Sequence, residues 1–295
     1  MEPLTVRELV TEAATAISRS RAIDHWLPSL SRYDAEELMS ATLDARLSPQ
    51  VRRSMPTPAQ RRAFAMMIAR RIAGEPVAQI TGSFTFRGLK MQVRRDVFAP
   101  RTSSELLAGE AIAFLRRRRA PRVAVDVATG SGPVALAVGS EVKHVDVWGL
   151  DISPEAVRLG RSNARRLGVP NVRFRVSDML AGLPRSLRGA VDSMTIHPPY
   201  VARQELRSLP REIRDFEPVT SLTDGSNDGL GLVRRLAYEA GEWLAPGGRL
   251  FVEIGTYLSR RAQATLRRAG FEDVTWKRDA LGVTRVISAR QPRVS

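Results

Sequence analysis

From residue 104 onward the chain alternates short apolar runs with longer stretches of helical periodicity, and this alternation constrains its fold most. Strands are expected at 123–128, 145–151, 172–176, 193–197, 249–254, 273–276 and 284–289. Helices fit 104–115, 133–142, 154–167, 230–244 and 259–269. Strands separated by helices pair in parallel, with helices covering both faces of the sheet. The last two strands lie a short turn apart around Gly282, so they pair antiparallel. The predicted fold class is therefore α/β, with a mostly parallel seven-stranded sheet ending in an antiparallel hairpin.

The chain before this region reads differently. Residues 1–75 carry apolar side chains at helical spacing, as in Val6, Leu9, Val10, Ala13 and Ile17, and again in Ala35, Leu38, Met39 and Leu43. Asp34 is expected to cap the second helix, and Thr57-Pro58 to open a third that ends near Ile72. The segment is predicted to be a small helical bundle that contacts a partner or supports the next domain. Residues 76–100 read as a β-hairpin connection, with Phe84-Thr85-Phe86, Gly88 and the run 89–93 closing on Ala99-Pro100-Arg101. Residues 101–295 form the α/β domain.

Composition removes several function classes. The chain has no cysteine, so disulfides, thiol nucleophiles and cysteine–zinc sites are all excluded. Its three histidines are His25, His144 and His197, with no H-E-x-x-H pattern, and no metal site is expected. No apolar run approaches the roughly 18 residues of a membrane span. Glu2 and Glu8 flank a mixed segment, so no secretory leader is expected, and the expected location is cytoplasmic. The net charge of +15 is carried almost wholly by arginine and favours acidic partners, nucleic acid among them. The run 116–119 is all arginine and follows the predicted helix 104–115, where cations suit the helix C-terminus.

Two strand ends carry the chemistry. The first strand runs into Asp126-Val127-Ala128-Thr129-Gly130-Ser131-Gly132, and a helix follows. Glycines let backbone approach a ligand, and a helix start offers unpaired N–H groups. The next strand ends in Asp151-Ile152, about 20 residues further on, where a carboxylate can accept ribose hydroxyls. The glycine spacing does not fit the dinucleotide fingerprint G-x-G-x-x-G. The fourth strand ends in His197-Pro198-Pro199-Tyr200. Two prolines force an extended exit without N–H donors, leaving backbone carbonyls free to accept from an amine.

Asp126-x-x-x-Gly130-x-Gly132 resembles the first motif of class I S-adenosylmethionine methyltransferases, which have a Rossmann-like fold. His197-Pro198-Pro199-Tyr200 resembles the N-P-P-Y signature of enzymes that methylate amide or exocyclic nitrogen. Further matches cover nearly the whole chain: Gly74-Glu75-Pro76 with Gly82, Pro100-Arg101 with Glu105, Phe216-Glu217-Pro218, Asp224-Gly225, Glu253, Asp279 and Arg285. Together they resemble the release-factor glutamine methyltransferases of the HemK/PrmC type. The resemblance implies S-adenosylmethionine as cofactor, held by Asp126, Ala128, Thr129, Gly130, Ser131, Gly132, Asp151, Ile152, Asp178 and Met179, with His197 beside it. It implies that His197, Pro198, Pro199 and Tyr200 hold the acceptor and that Arg101, Glu105 and Glu217 contribute to substrate binding. It also implies that the helical segment recognises a protein substrate, a peptide-chain release factor.

Three positions depart from the family pattern. Ala128 replaces a glycine, Met179 an aromatic, and His197 the asparagine of N-P-P-Y. Met179 can still pack on an adenine. His197 touches the chemistry, because neutral imidazole offers one acceptor and one donor, and its protonated form offers no acceptor. Three consequences stay open in the sequence: the same hold on a glutamine amide, a different acceptor such as a small molecule served by a base near neutral pH, or poor catalysis. Methylation of nucleic acid is a further alternative, without an aromatic stacking platform to support it.

Overall fold

The computed structural model describes residues 4–23 and 29–292; His25 lies outside the described residues. The chain forms two compact units. One holds the chain as far as Ser83 together with Ser208–Glu217, and the other holds Phe84–Arg207 and the chain from Pro218.

The first unit contains α1 (Val6–Ser18), α2 (Ser29–Leu43), α3 (Pro49–Arg53), α4 (Pro58–Ile72) and α5 (Val77–Thr81). Capping boxes start two of them. Thr5 and Glu8 exchange side-chain-to-backbone hydrogen bonds at α1, and Thr57 and Gln60 do so at α4, satisfying N–H groups that the helix leaves unpaired. Val6, Val10, Ile17, Leu38, Met39 and Phe64 form the buried core of the unit. Asp34 does not cap α2. The helix starts five residues earlier, at Ser29, and Asp34 instead accepts from Arg71 Nε at 2.7 Å. The excursion Ser208–Glu217 joins this unit through Gln79 Nε2, which donates to the Phe216 carbonyl at 3.0 Å.

β1 (Ser83–Phe86) and β2 (Leu89–Gln92) form a separate hairpin, which from Phe84 onward belongs to the second unit. The hairpin is shorter than the segment 76–100 read from the sequence, because residues before it wind into α5. The main sheet contains β3 (Arg122–Val127), β4 (Val145–Asp151), β5 (Val172–Val176), β6 (Val191–Ile196), β7 (Leu244–Glu253), β8 (Glu272–Arg278) and β9 (Thr284–Arg290). Their order is β5-β4-β3-β6-β7-β9-β8, with β9 antiparallel to both β7 and β8. The strand expected from 249 starts at Leu244 because a bulge absorbs the residues between the Val191–Leu244 and Ser193–Arg249 pairs.

Alternate strand residues face opposite sides. Phe251 packs with α6 (Ser104–Leu115), α7 (Pro133–Glu141) and α8 (Pro154–Leu167). Its neighbours Leu250 and Val252 pack on the other face. Between β6 and β7 the chain forms α9 (Arg211–Arg214) within the excursion, then α10 (Val219–Leu222) and α11 (Gly231–Glu239). The helix expected over 230–244 ends at Glu239 and tightens into a 3₁₀ turn at Ala240–Glu242. α11 and α12 (Ser259–Arg268) cover the second face. The order turns back at β3, which lies between β4 and β6. In open α/β sheets such a switch point leaves a crevice at the strands' carboxyl ends. Among the described residues no helix is long and apolar enough to cross a membrane.

Candidate active site

The loop after β3 turns sharply into α7. It does so with left-handed backbone at Ala128 (φ 53°), Gly130 (φ 57°) and Gly132 (φ 88°). That conformation costs an alanine roughly 1–2 kcal/mol and a glycine almost nothing. Gly132 is also fixed by packing, since a Cβ there would lie 2.5 Å from Cζ of Phe174. Gly149 and Gly160 crowd the same ring, at 2.6 and 2.8 Å, so Phe174 fills a hollow left by three missing side chains. Gly130 differs: a Cβ there would meet nothing within 4 Å, because the loop opens onto a cavity.

Two carboxylates organise this loop. Asp126 is buried; its Oδ2 accepts from Thr129 Oγ1 at 2.6 Å and its Oδ1 from Thr195 Oγ1 at 2.7 Å. Burial pushes its carboxyl up to about 6 against the pull of these hydroxyls, and the nearby charge of Asp151 acts in the same direction. Asp151, at the end of β4, accepts from Gly130 N–H at 2.8 Å through Oδ2 and from Ser153 N–H at 2.9 Å through Oδ1. Burial raises its carboxyl above the ordinary range, opposed by these N–H groups.

The cavity measures about 660 Å³. Its walls include Asp126, Ala128, Thr129, Gly130 and Ser131 from the loop, and Asp151 and Ile152 from the next strand. Asp178 and Met179 line it beyond β5. Asp178 is held by Arg235 Nη1 at 2.6 Å, whereas Met179 is buried with φ 51°. His197, Pro198 and Pro199 line it from the exit of β6, and Arg101 from the segment before α6. Gly132 shapes the loop from behind. Tyr200 reaches the site through the His197 ring, stacked at 5.8 Å between centroids and 24° between planes. Glu105 does not reach the cavity: it accepts from the Arg87 backbone N–H at 2.8 Å and so anchors the β1–β2 turn. Glu217 is buried in the other unit.

His197 has partners that sequence spacing did not indicate. Its Nδ1 lies 3.3 Å from Ser104 Oγ and 3.6 Å from Oε2 of Glu253 on β7. Glu253 Oε1 accepts from Ser103 Oγ at 2.8 Å; among the described residues Oε2 has no hydrogen-bond partner, although it is buried. Phe98 meets the imidazole edge-on at 5.8 Å. Burial lowers the pKa of His197 below that of an ordinary histidine; Glu253 opposes the shift, and Arg101 and Arg285 add to it. Burial raises the Tyr200 phenol, and Glu253 adds to the rise. No periodicity links residues 103, 104 and 253; α6 and β7 bring them together only in the folded sheet.

Comparison with known proteins gives these features a family. Residues 29–82 match the PrmC N-terminal domain and residues 122–254 a methyltransferase domain. The chain is 38% identical over 229 residues to the release factor glutamine methyltransferase of Bordetella pertussis, covering 78% of this chain and 83% of that one. It is 33% identical over 296 residues to the protein of the same name from Bradyrhizobium diazoefficiens, covering 98% and 97%. A solved methyltransferase from Pyrococcus furiosus shares the fold at 18% identity and TM-score 0.53, covering 78% of this chain and all (100%) of that one.

The cavity suits S-adenosylmethionine, the cofactor of these enzymes. Gly130 leaves room for close approach, and the buried hydroxyl of Ser131 on the cavity wall has no protein partner among the described residues. Asp126 and Asp151 offer negative charge to a cationic ligand. With relatives of this identity and coverage, the chain belongs to the release factor glutamine methyltransferase family, S-adenosylmethionine-dependent enzymes built on the class I methyltransferase fold.

Proposed function

We propose that this enzyme methylates the N5 amide nitrogen of a glutamine in a peptide-chain release factor. The observation that carries the reading is that one cavity joins the Gly130–Asp151 cradle to the His197-Pro198-Pro199 exit. The names of the relatives supply the acceptor, and the helical unit, matching the PrmC N-terminal domain, is assigned to recognition of the protein substrate.

When bound, S-adenosylmethionine supplies an electrophilic methyl group on a sulfonium sulfur. The Gly130–Ser131 backbone and the Ser131 hydroxyl hold it, and Asp151 takes its ribose hydroxyls. Each carboxylate oxygen has a second lone pair, so Asp151 can do this while keeping its two backbone hydrogen bonds. Asp178 and Met179 flank the adenine. On the acceptor side, His197 and the Pro198 carbonyl accept from the amide N–H groups, Tyr200 fixes the plane of the amide through its stack on His197, and Arg101 borders the substrate. An amide nitrogen is a poor nucleophile because its lone pair is delocalised. Holding it in line with the methyl group is therefore the main task, and ideal alignment is worth up to roughly 7–11 kcal/mol.

Intact-mass spectrometry of release factors incubated with the enzyme and S-adenosylmethionine tests the reading. One added methyl, mapped to a glutamine, supports it. No added methyl with either the wild type or His197→Asn overturns it and turns the search to small-molecule acceptors. Methylation by His197→Asn alone would mean that recognition is intact and that His197 blocks this chemistry.

A further inference from the structure

We infer that His197 and Glu253 form a proton-accepting pair: Glu253 holds the imidazole as its Nδ1–H tautomer, and Nε2 accepts the acceptor's N–H and then its proton. The inference rests on reading the cavity as an N-methylation site, and it gives His197 a part in the reaction that an amide side chain could not play.

The geometry supports each half. Glu253 is almost fully buried, and Ser103 satisfies only its Oε1, at 2.8 Å. Oε2 has no hydrogen-bond partner among the described residues, and the His197 Nδ1 lies 3.6 Å away. A buried carboxylate oxygen needs a donor. A proton on Nδ1 places positive charge 3.6 Å from this oxygen, an electrostatic contact rather than a hydrogen bond, whereas a lone pair there would face the carboxylate in repulsion, with only the Ser104 hydroxyl to donate to it. Ser104 Oγ, 3.3 Å from Nδ1, can accept from the same N–H. The Phe98 edge and the Tyr200 face hold the ring in this orientation. With Nδ1 committed to α6 and β7, Nε2 is the nitrogen left for the cavity that His197 lines. An Asn at this position would offer a carbonyl acceptor but no group that takes up a proton near neutral pH.

The step balances. The acceptor nitrogen forms a bond to the methyl carbon as the carbon–sulfur bond breaks, with its electron pair staying on sulfur. The proton on nitrogen passes to Nε2, and the imidazolium is stabilised by the Glu253 carboxylate until water removes the proton. Other charged or titratable groups also face His197. Arg101 precedes α6, Tyr200 lies on the exit of β6, and Arg285 lies on β9 with its Nε on Asp279 at 3.0 Å. The two arginines disfavour the imidazolium and Glu253 favours it, so Glu253 acts as a positioning residue through His197.

Two readouts test the pair. In ¹⁵N spectra of the full-length protein, with His197 signals assigned by their loss in His197→Asn, Nδ1 is expected to be protonated and Nε2 not. In methyl-transfer rates measured against pH, the wild type should show an acidic limb that is absent from His197→Asn. Glu253→Gln should move that limb to lower pH and reduce the plateau at least about tenfold, the low side of general-base contributions. A merely structural glutamate would lower the rate without moving the limb. A proton on Nε2 in the wild type, or the same limb in His197→Asn, overturns the pair. If the wild type methylates no release factor, the proposed acceptor fails, while the nitrogen spectra still decide the tautomer and need no folded variant of Glu253.

Discussion

The carboxylate of Asp151 and the backbone N–H of Gly130 are joined by a hydrogen bond of 2.8 Å that ties the end of β4 to the loop after β3. Asp151→Ala removes this tie together with the carboxylate proposed to accept the ribose hydroxyls. Cofactor affinity is expected to fall about tenfold to a hundredfold, the 1.5–3 kcal/mol of a hydrogen bond to a charged group. Asp151→Asn should fall between, because one amide oxygen cannot replace the two that receive Gly130 and Ser153. Titration calorimetry measures both, with circular dichroism as the control for folding. Unchanged affinity in Asp151→Ala removes it from the ribose role.

Cofactor binding should also depend on pH. Asp126 ionises near 6 and Asp151 above the ordinary carboxylate range, both because of burial. A sulfonium cation favours their charged forms, so affinity should drop as pH falls through about 6, and binding near that pH should release protons. Comparing calorimetric enthalpies in buffers of different ionisation enthalpy detects that release, and Asp126→Asn should reduce it. The same raised value has a consequence for stability. The contribution of Asp126 is present in full below about 3.8 and is lost as pH rises through about 6.

The ring of Phe174 couples three glycines. Phe174→Ala should cost roughly 3–5 kcal/mol by emptying the hollow. Gly160→Ala should cost about 1–3 kcal/mol by crowding the ring. Urea denaturation of Gly160→Ala with Phe174→Leu should show less than the sum of the single losses, since a smaller side chain makes room for the added methyl. Strict additivity would mean that the ring and the glycines do not share this space.

Arg71 ties the excursion to the helical unit. Its Nε donates to Asp34 at 2.7 Å and its Nη2 to Glu212 at 3.0 Å, with the guanidinium almost fully buried. Arg71→Met should destabilise by roughly 3–5 kcal/mol, because removing one partner of a buried ion pair strands the others. Limited proteolysis within Ser208–Glu217 should speed up in parallel. Protection equal to the wild type would show that other contacts hold the segment.

The sheet was legible because each strand and helix carries its own local signature. The runs 145–151 and 172–176 and the helices 104–115 and 154–167 form where their apolar spacing put them. The loop after β3 and the Pro-Pro exit of β6 stand out in the sequence for a similar reason, since unusual residues sit at strand ends, and both line the same cavity. What escaped the sequence was pairing across distance. Asp34 looks like a helix cap until Arg71 is brought beside it, and Glu105 looks like a substrate contact until its carboxylate is found on the Arg87 backbone. Glu253 stands in the sequence only as one of the family matches, with no role attached, and only the register of β7 beside β6 brings it near His197. None of these pairs leaves a period in the sequence.

The return of Ser208–Glu217 to the helical unit has a temporal meaning during synthesis. A ribosome delivers α1 to α5 first, yet the acid that Glu212 supplies to Arg71 emerges only after β3 to β6 have been made. The N-terminal unit therefore completes itself late, with an ingredient borrowed from the catalytic half of the chain. Severing the chain after Ser83 leaves part of this unit behind, so a cassette carrying the whole unit has to include Ser208–Glu217 as well.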